Sequence, residues 1–240
     1  MASSKSASPP LRPPSAPAVT AVIAAAGSGE RLGAGGPKAF VPVAGRPMIE
    51  WSIEAFRGCG CVRSIVVAAP PGHVGDVAPG HDLEVVAGGA TRAQSVANAL
   101  AAVGTGYVAI HDAARPLLTP ELVEALVAVL DGAPEAAGVI AAAPVVDTIK
   151  RAGDANLAIE RTEDRSQLWA AQTPQVFRTE ALREALAAAE RPEAATDEAM
   201  LVEGAGGTVL IHPVEGQNLK VTTPLDLRVA ALLLAERAGA

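Results

Sequence analysis

Short apolar runs alternate with amphipathic segments along almost the whole chain. The runs carry apolar side chains at successive positions, which is typical of strands buried on both faces of a sheet. They cover residues 19–26, 64–70, 83–88, 107–112, 138–145 and 208–213. Segments with helical periodicity lie between them, at residues 47–57, 91–102, 120–130, 179–189, 196–203 and 224–238. This alternation predicts an α/β fold with a doubly wound, mostly parallel sheet.

Two regions depart from this pattern. Residues 1–17 are rich in Ser and Pro, which predicts a disordered extension before a single domain at residues 18–240. Residues 145–172 form two polar, roughly alternating segments around a turn-forming stretch at 152–156, so we expect a protruding β-hairpin there. We call this hairpin the arm. By itself it leaves the backbone N–H and C=O groups along its outer edges without hydrogen-bond partners. It should therefore pack on another subunit or close over a ligand.

Composition and charge exclude several classes of protein. The chain has 240 residues, a formal net charge of −7 and only 2% aromatic residues. An acidic balance argues against nucleic-acid binding, which needs clustered Lys and Arg. No apolar stretch reaches the roughly 18 residues of a membrane span. The two cysteines, Cys59 and Cys61, are interpreted as reduced thiols, so the expected location is cytoplasmic.

The loop after the first predicted strand, residues 24–40, contains the first candidate site. Gly27, Gly29 and Gly33 miss the dinucleotide-binding spacing by one residue, and no Ser or Thr follows Lys38 as a Walker motif requires. The remaining pattern is a glycine loop followed by two cations, Arg31 and Lys38. Loop amides and cations suit a reaction at phosphorus, where charge grows on oxygen atoms. An ordinary strand-to-helix turn explains the glycines but not the cations.

A second candidate site follows the fourth predicted strand, at residues 111–118. Asp112 stands at the strand end, where an acid can hold Mg²⁺ or a ligand hydroxyl. Arg115 can fork onto a phosphate. The structural alternative is an Asp112–Arg115 ion pair that braces the loop. His111 is expected to pack in the interior rather than to act as a base.

Seven segments of the chain carry recognisable motifs, at residues 27–40, 87–96, 111–118, 145–150, 164–177, 196–203 and 218–227. Taken together and in order, they resemble the 2-C-methyl-D-erythritol 4-phosphate cytidylyltransferase family, and the resemblance extends over residues 19–238. The resemblance implies a Rossmann-like nucleotidyltransferase fold. It also implies transfer of the cytidylyl group of CTP to 2-C-methyl-D-erythritol 4-phosphate with release of pyrophosphate, and Mg²⁺ held mainly by the CTP phosphates. It also implies a homodimer in which the arm reaches the partner's site.

The resemblance further implies a role for each matching residue. Catalysis is assigned to Arg31, Lys38 and Lys220. Nucleotide binding is assigned to Ala25, Ala26, Gly27, Ser28, Gly29, Gly89, Ser95 and Asp112, with Asp112 also a candidate metal ligand. Binding of the sugar-alcohol phosphate is assigned to Arg115, Thr148, Arg165 and Thr173, although a solvated charged face also explains Arg165.

Other functions are compatible with the same motifs. A ribitol 5-phosphate cytidylyltransferase, or another sugar-phosphate nucleotidyltransferase, would share the glycine loop and the second candidate site. A nucleotide-binding protein without catalysis is disfavoured because Arg31, Lys38 and Asp112 are all in place. One position departs from the family: Ala90 stands where relatives commonly carry a polar residue, so cytosine recognition there would depend on the main chain.

Overall fold

The computed structural model describes residues 17–27, 32, 36–153, 157–214 and 218–239. The predicted extension up to residue 16, and the site residues Ser28, Gly29 and Arg31, lie outside the described residues. The strands are β1 (Val19–Ala24), β2 (Pro42–Val43), β3 (Arg46–Pro47), β4 (Val62–Ala69), β5 (Leu83–Ala87), β6 (Tyr107–Asp112), β7 (Gly138–Pro144), β8 (Lys150–Ala152), β9 (Ile159–Thr162), β10 (Trp169–Arg178) and β11 (Val209–Pro213). The α-helices are α1 (Met48–Gly58), α2 (Arg92–Leu100), α3 (Pro120–Asp131), α4 (Thr179–Ala188), α5 (Glu198–Gly204) and α6 (Pro224–Gly239).

Within the described ranges, seven strands form one sheet in the order β11-β7-β10-β6-β1-β4-β5. Neighbouring strands are parallel except at β10, which runs antiparallel to both β6 and β7. The predicted mostly parallel sheet is confirmed. All strands of this sheet except β10 therefore end at the same edge, which is where ligands bind in folds of this kind.

The helices bury the two faces of the sheet in separate clusters. Along β1, Ala21 and Ile23 belong to one cluster, which includes Phe56 of α1 and residues of α3, whereas Val22 belongs to the other, which α2, α4 and α5 cover. This alternation is the two-residue period of a strand with both faces buried. A third cluster joins α6 to the segment around β2. The described chain contains no helix long and apolar enough to cross a bilayer.

The strand β10 was not predicted from the sequence, and the arm ends before residue 169 rather than at residue 172. Residues 169–172, assigned to the hairpin, are the first part of β10, and Trp169 pairs with Pro144 of β7. The pairing register shifts between Ala171 and Gln175, so the apolar alternation that identifies a strand is interrupted. After this shift the apolar signal is confined to positions 176 and 177, which is too short to indicate a strand.

The predicted hairpin is present as β8 and β9, which pair antiparallel from Lys150–Thr162 to Ala152–Ile159. It leaves the sheet after β7 and returns into β10, at the edge where the parallel strands end. Leu157 is 80% exposed and Ile159 is 64% exposed. Large apolar side chains left in water favour contact with another surface.

A hydrogen-bonded chain through His111 holds the end of β6. The Arg115 carbonyl oxygen lies 3.1 Å from Nε2 of His111, and a carbonyl only accepts, so Nε2 carries the proton. Nδ1 then accepts from the Thr173 hydroxyl at 3.1 Å, and that hydroxyl accepts from the Asp112 backbone N–H at 3.0 Å. Burial lowers the pKa of His111 to about 4, so the ring is neutral at pH 7. His111 is a packing residue, as expected.

Because the His111 ring is buried in its neutral form, we expect the protein to lose stability below pH 6.5. The pKa of His111 is about 4 in the folded protein against 6.5 for the ordinary side chain, so the unfolded chain binds the proton first as the pH falls. Between pH 7 and pH 5 we expect the free energy of unfolding to fall by about 2 kcal/mol more in the wild type than in His111→Gln. Urea unfolding at both pH values measures the difference.

The matched control is His81→Gln, which removes an exposed imidazole instead of the buried one. The same pH dependence in His111→Gln as in the wild type would contradict the neutral, buried ring. If His111→Gln does not fold, an NMR titration of the wild-type His111 imidazole decides the point, because a midpoint near the ordinary pKa would contradict it equally.

Candidate active site

A cleft of about 630 Å³ opens at the carboxyl edge of the sheet, where the segments after β1, β5 and β6 meet. Most of the described site residues that the sequence assigned lie in its lining: Ala25, Ala26, Gly27, Lys38, Gly89, Ser95, Asp112 and Lys220. The other four, Arg115, Thr148, Arg165 and Thr173, do not line the cleft. The structure therefore brings eight of the assigned residues together in one cleft and places four others outside its lining.

The loop after β1 is held to its neighbours by main-chain hydrogen bonds. Ala25 donates its N–H to the Ala68 carbonyl of β4 at 3.0 Å, and the Lys38 N–H donates to the Gly27 carbonyl at 3.3 Å. The second bond closes the loop and brings Lys38 to the cleft, although eleven positions separate it from Gly27 in the chain. Gly27 and Lys38 therefore both line the cleft, whereas the other predicted cation of this loop, Arg31, lies outside the described residues.

The segment after β5 approaches that wall closely. A Cβ on Gly88 would lie 2.6 Å from the Cβ of Ala26, so only glycine allows the two loops to come together at this distance. The next residue, Gly89, donates its N–H to the Ser95 hydroxyl at 3.0 Å, and that hydroxyl donates to the Thr91 carbonyl at 2.9 Å. Ser95 thus fixes the loop as well as lining the cleft. The loop leaves small side chains and main-chain groups facing a ligand.

Four charged side chains of alternating sign cross the floor of the site. Asp112 Oδ2 accepts from Lys220 Nζ at 2.6 Å, and Asp112 Oδ1 accepts from Arg92 Nε at 3.0 Å. Both oxygens of Glu198 accept from Arg92 Nη1, at 2.6 and 2.7 Å. This set of Lys220, Asp112, Arg92 and Glu198 is called the charge chain below.

Burial opposes ionisation of both acids in the charge chain. It would raise the pKa of Asp112, but Arg92 and Lys220 outweigh it and hold the pKa of that carboxyl well below its usual range. Burial raises the pKa of Glu198, and the nearby Arg92 counteracts only part of the shift. Asp112 is therefore a stable anion between two cations, so Lys220 stays close to the cleft.

The sequence pattern did not identify Arg92 and Glu198 as site residues. Both fall within segments that carried the resemblance, at 87–96 and 196–203, but 106 positions separate them and neither stands directly after a predicted strand. Glu198 is 1% exposed. An acid in an otherwise amphipathic segment gives no sign that it is buried against an arginine from another helix.

Arg115 and Thr173 lie beneath the cleft rather than in its lining. Arg115 is 8% exposed, and its Nη1 donates to the Asn218 carbonyl at 2.7 Å. Asn218 in turn donates its side-chain N–H to the Thr173 carbonyl at 2.6 Å. The alternative of an Asp112–Arg115 brace is wrong, because the charge chain supplies the partners of Asp112. The roles of Arg115 and Thr173 toward a substrate phosphate stay predictions.

Thr148 and Arg165 lie on the exposed connections of the arm, outside the lining of the cleft in the same chain. The Arg165 guanidinium donates to the Val146 carbonyl within the arm. Their assignment to a partner's site also stays a prediction. The arm leaves the sheet at the same edge where the cleft opens.

The described residues do not form a divalent-metal site by themselves. Across the part of the chain that the structure describes, no group of three or more His, Cys, Asp or Glu side chains could hold a metal ion. Both oxygens of Asp112 already accept hydrogen bonds from cations. A metal bound by Asp112 would share a carboxylate oxygen with Arg92 or Lys220 and lie close to their positive charges, and the role of Asp112 as a metal ligand stays a prediction.

Known proteins of one family match almost the whole chain. The family model described as 2-C-methyl-D-erythritol 4-phosphate cytidylyltransferase matches residues 19–236. A relative of that name from Frankia casuarinae is 47% identical over 93% of this chain and 84% of its own length. One from Nocardia farcinica is 45% identical over 92% of this chain and 96% of its own length.

A solved structure from the same family is also similar to this chain. The crystal structure of 2-C-methyl-D-erythritol 4-phosphate cytidylyltransferase from Thermus thermophilus is similar to this chain with a TM-score of 0.75 and 36% identity. The match covers 91% of this chain and 99% of that chain. Together with the cleft and its cations, these matches show that the chain belongs to the 2-C-methyl-D-erythritol 4-phosphate cytidylyltransferase family.

Proposed function

We propose that this enzyme transfers the cytidylyl group of CTP to 2-C-methyl-D-erythritol 4-phosphate. The products are 4-diphosphocytidyl-2-C-methyl-D-erythritol and pyrophosphate, in the methylerythritol phosphate route to isoprenoids. The observation that carries the proposal is one cleft, in a member of this family, that combines glycine-loop amides with Lys38 and Lys220. Such a cleft suits phosphoryl and nucleotidyl transfer, in which charge on oxygen must be stabilised.

The cytosine end of CTP fits the wall formed by Gly89, Ala90 and Ser95. These residues are small, and no aromatic side chain lines the described cleft, so stacking on an aromatic ring does not contribute to binding. Recognition then depends on main-chain groups and the Ser95 hydroxyl. The main-chain N–H of Ala90 already donates to Gln94 Oε1 at 3.1 Å, which leaves the Ala90 carbonyl to contact the base.

The chemical step needs no covalent enzyme intermediate. An oxygen of the substrate phosphate attacks the α-phosphorus of CTP, a new P–O bond forms, and the bond to pyrophosphate breaks with the electron pair leaving on pyrophosphate. Lys38 and Lys220, with Arg31 as a further predicted cation, offset the charge that develops on the phosphate oxygens. When bound to CTP, Mg²⁺ supplies further charge neutralisation, and its ligands would be the nucleotide phosphates.

The arm supports a shared site in a homodimer. Its exposed apolar side chains, Leu157 and Ile159, favour burial against a second copy, and Thr148 and Arg165 do not line the cleft of their own chain. Each arm would then bring these two residues to the partner's sugar-alcohol phosphate. The cytoplasmic location stays a prediction from the sequence.

We expect the purified protein to release pyrophosphate from CTP and 2-C-methyl-D-erythritol 4-phosphate in the presence of Mg²⁺. Ribitol 5-phosphate should be turned over far more slowly, because the site would be shaped for the branched substrate. A coupled pyrophosphate assay with both substrates measures the ratio of kcat/KM values. Equal or faster turnover of ribitol 5-phosphate would replace the proposed activity with the alternative one.

A mixing experiment tests the shared site. Lys38→Ala and Arg165→Ala should each be strongly impaired, the first by at least about 100-fold in kcat through loss of a cation at the transition state. After statistical reassortment of the two variants, about a quarter of the sites would carry both native residues, so activity should return to about a quarter of the wild-type value.

Lys38→Ala mixed with Lys220→Ala is the matched control. Both lysines line the cleft of the same chain, so no heterodimer of these two variants contains an intact site and no activity should return. If the first mixture stays inactive while native mass spectrometry shows heterodimers, the shared site is wrong.

A further inference from the structure

Glu198 is the member of the charge chain that does not line the cleft. It begins α5, it is 1% exposed, and its contact with Arg92 joins α5 to the first residue of α2. A buried carboxylate costs free energy unless a partner compensates it. The position of Glu198 therefore requires Arg92.

Arg92 stands at the start of α2, where a helix N-terminus disfavours a positive charge. Its side chain divides its contacts between two acids, with Nε toward Asp112 and Nη1 toward Glu198. The remaining nitrogen, Nη2, is buried and has no hydrogen-bond partner among the described residues. The guanidinium is thus held from two sides, and Asp112 receives a single hydrogen bond from it.

Because Arg92 uses only one oxygen of Asp112, the other oxygen is available to Lys220. Asp112 uses Oδ1 for Arg92 and Oδ2 for Lys220, so one carboxylate orients both cations. Without Glu198, an arginine that keeps only one acid would turn to fork onto both oxygens of Asp112, as arginine and carboxylate prefer. Lys220 would then have to share Oδ2 with Arg92, which weakens its contact with Asp112 at the cleft.

We infer that Glu198 is a positioning residue for this reaction, acting through Arg92 and Asp112 to set the place of Lys220. The inference rests on the proposed function, in which Lys220 faces the reacting phosphates. The effect of Glu198 on turnover is therefore indirect and depends on an intact Arg92.

The first test is a double-mutant cycle in kcat/KM for CTP. Glu198→Gln should lower kcat/KM by at least about 10-fold, within the range of coupling found between residues of one network. In the Arg92→Gln background, adding Glu198→Gln should change kcat/KM by less than about 2-fold, because the route to Asp112 is already broken. Glu203→Gln, on an exposed residue of the same helix, should match the wild type.

A general destabilisation of α5 would give a different result, since its effect would persist when Arg92 is replaced. Additive losses in the cycle, or wild-type activity in Glu198→Gln, would overturn the inference. The thermal midpoint of every variant is measured alongside, so that loss of folded protein is separated from loss of turnover.

A crystal structure of Glu198→Gln gives a readout that does not depend on activity. We expect Arg92 to contact both oxygens of Asp112 and Lys220 Nζ to move out of hydrogen-bond range of Asp112, from 2.6 Å in the wild type. An unchanged Lys220–Asp112 contact would overturn the inference even if Arg92→Gln does not fold. If the wild type makes no cytidylyl product, the proposed function fails, and this structure still decides the role of Glu198.

Discussion

The site depends on one buried carboxylate, Asp112, that stays ionised between two cations. Asp112 is 7% exposed, and Arg92 and Lys220 together outweigh the cost of its burial. Its main-chain N–H is fixed by Thr173, which His111 orients in turn. Both the main chain and the side chain of Asp112 are therefore held from several elements, and the cations beside it take their positions from it.

The parallel sheet explains how residues so far apart in the chain come together. Parallel strands end at one edge, so the segments after β1, β5 and β6 meet there. The antiparallel strand β10 has the opposite direction: it begins at that edge, and so it carries Thr173 and the end of the arm to the site. An acidic protein can in this way concentrate Lys38, Arg92 and Lys220 in one cleft.

Much of the fold could be predicted because its signals are local. Buried strands give continuous apolar runs, and Thr119 caps α3 through Leu122, as expected for a helix that begins with Pro120. The strand β10 was missed because its register shift interrupts the pattern.

The charge chain could not be predicted in the same way. The role of Arg92 and Glu198 depends on their contact with each other, and 106 positions separate the two residues in the chain. No local sequence pattern indicates such a contact. The family resemblance supplied residue roles, but only the folded chain separates Asp112, at the cleft, from Arg115 below it.

The most direct measurement is a crystal structure with a CTP analogue that cannot react. We predict that the cytosine lies against Gly89 and Ser95, that the phosphates contact Lys38, and that Asp112 keeps its hydrogen bonds to Arg92 and Lys220. A nucleotide bound outside this cleft, or an Asp112 carboxylate released from both cations to bind the ligand or its metal, would contradict this prediction.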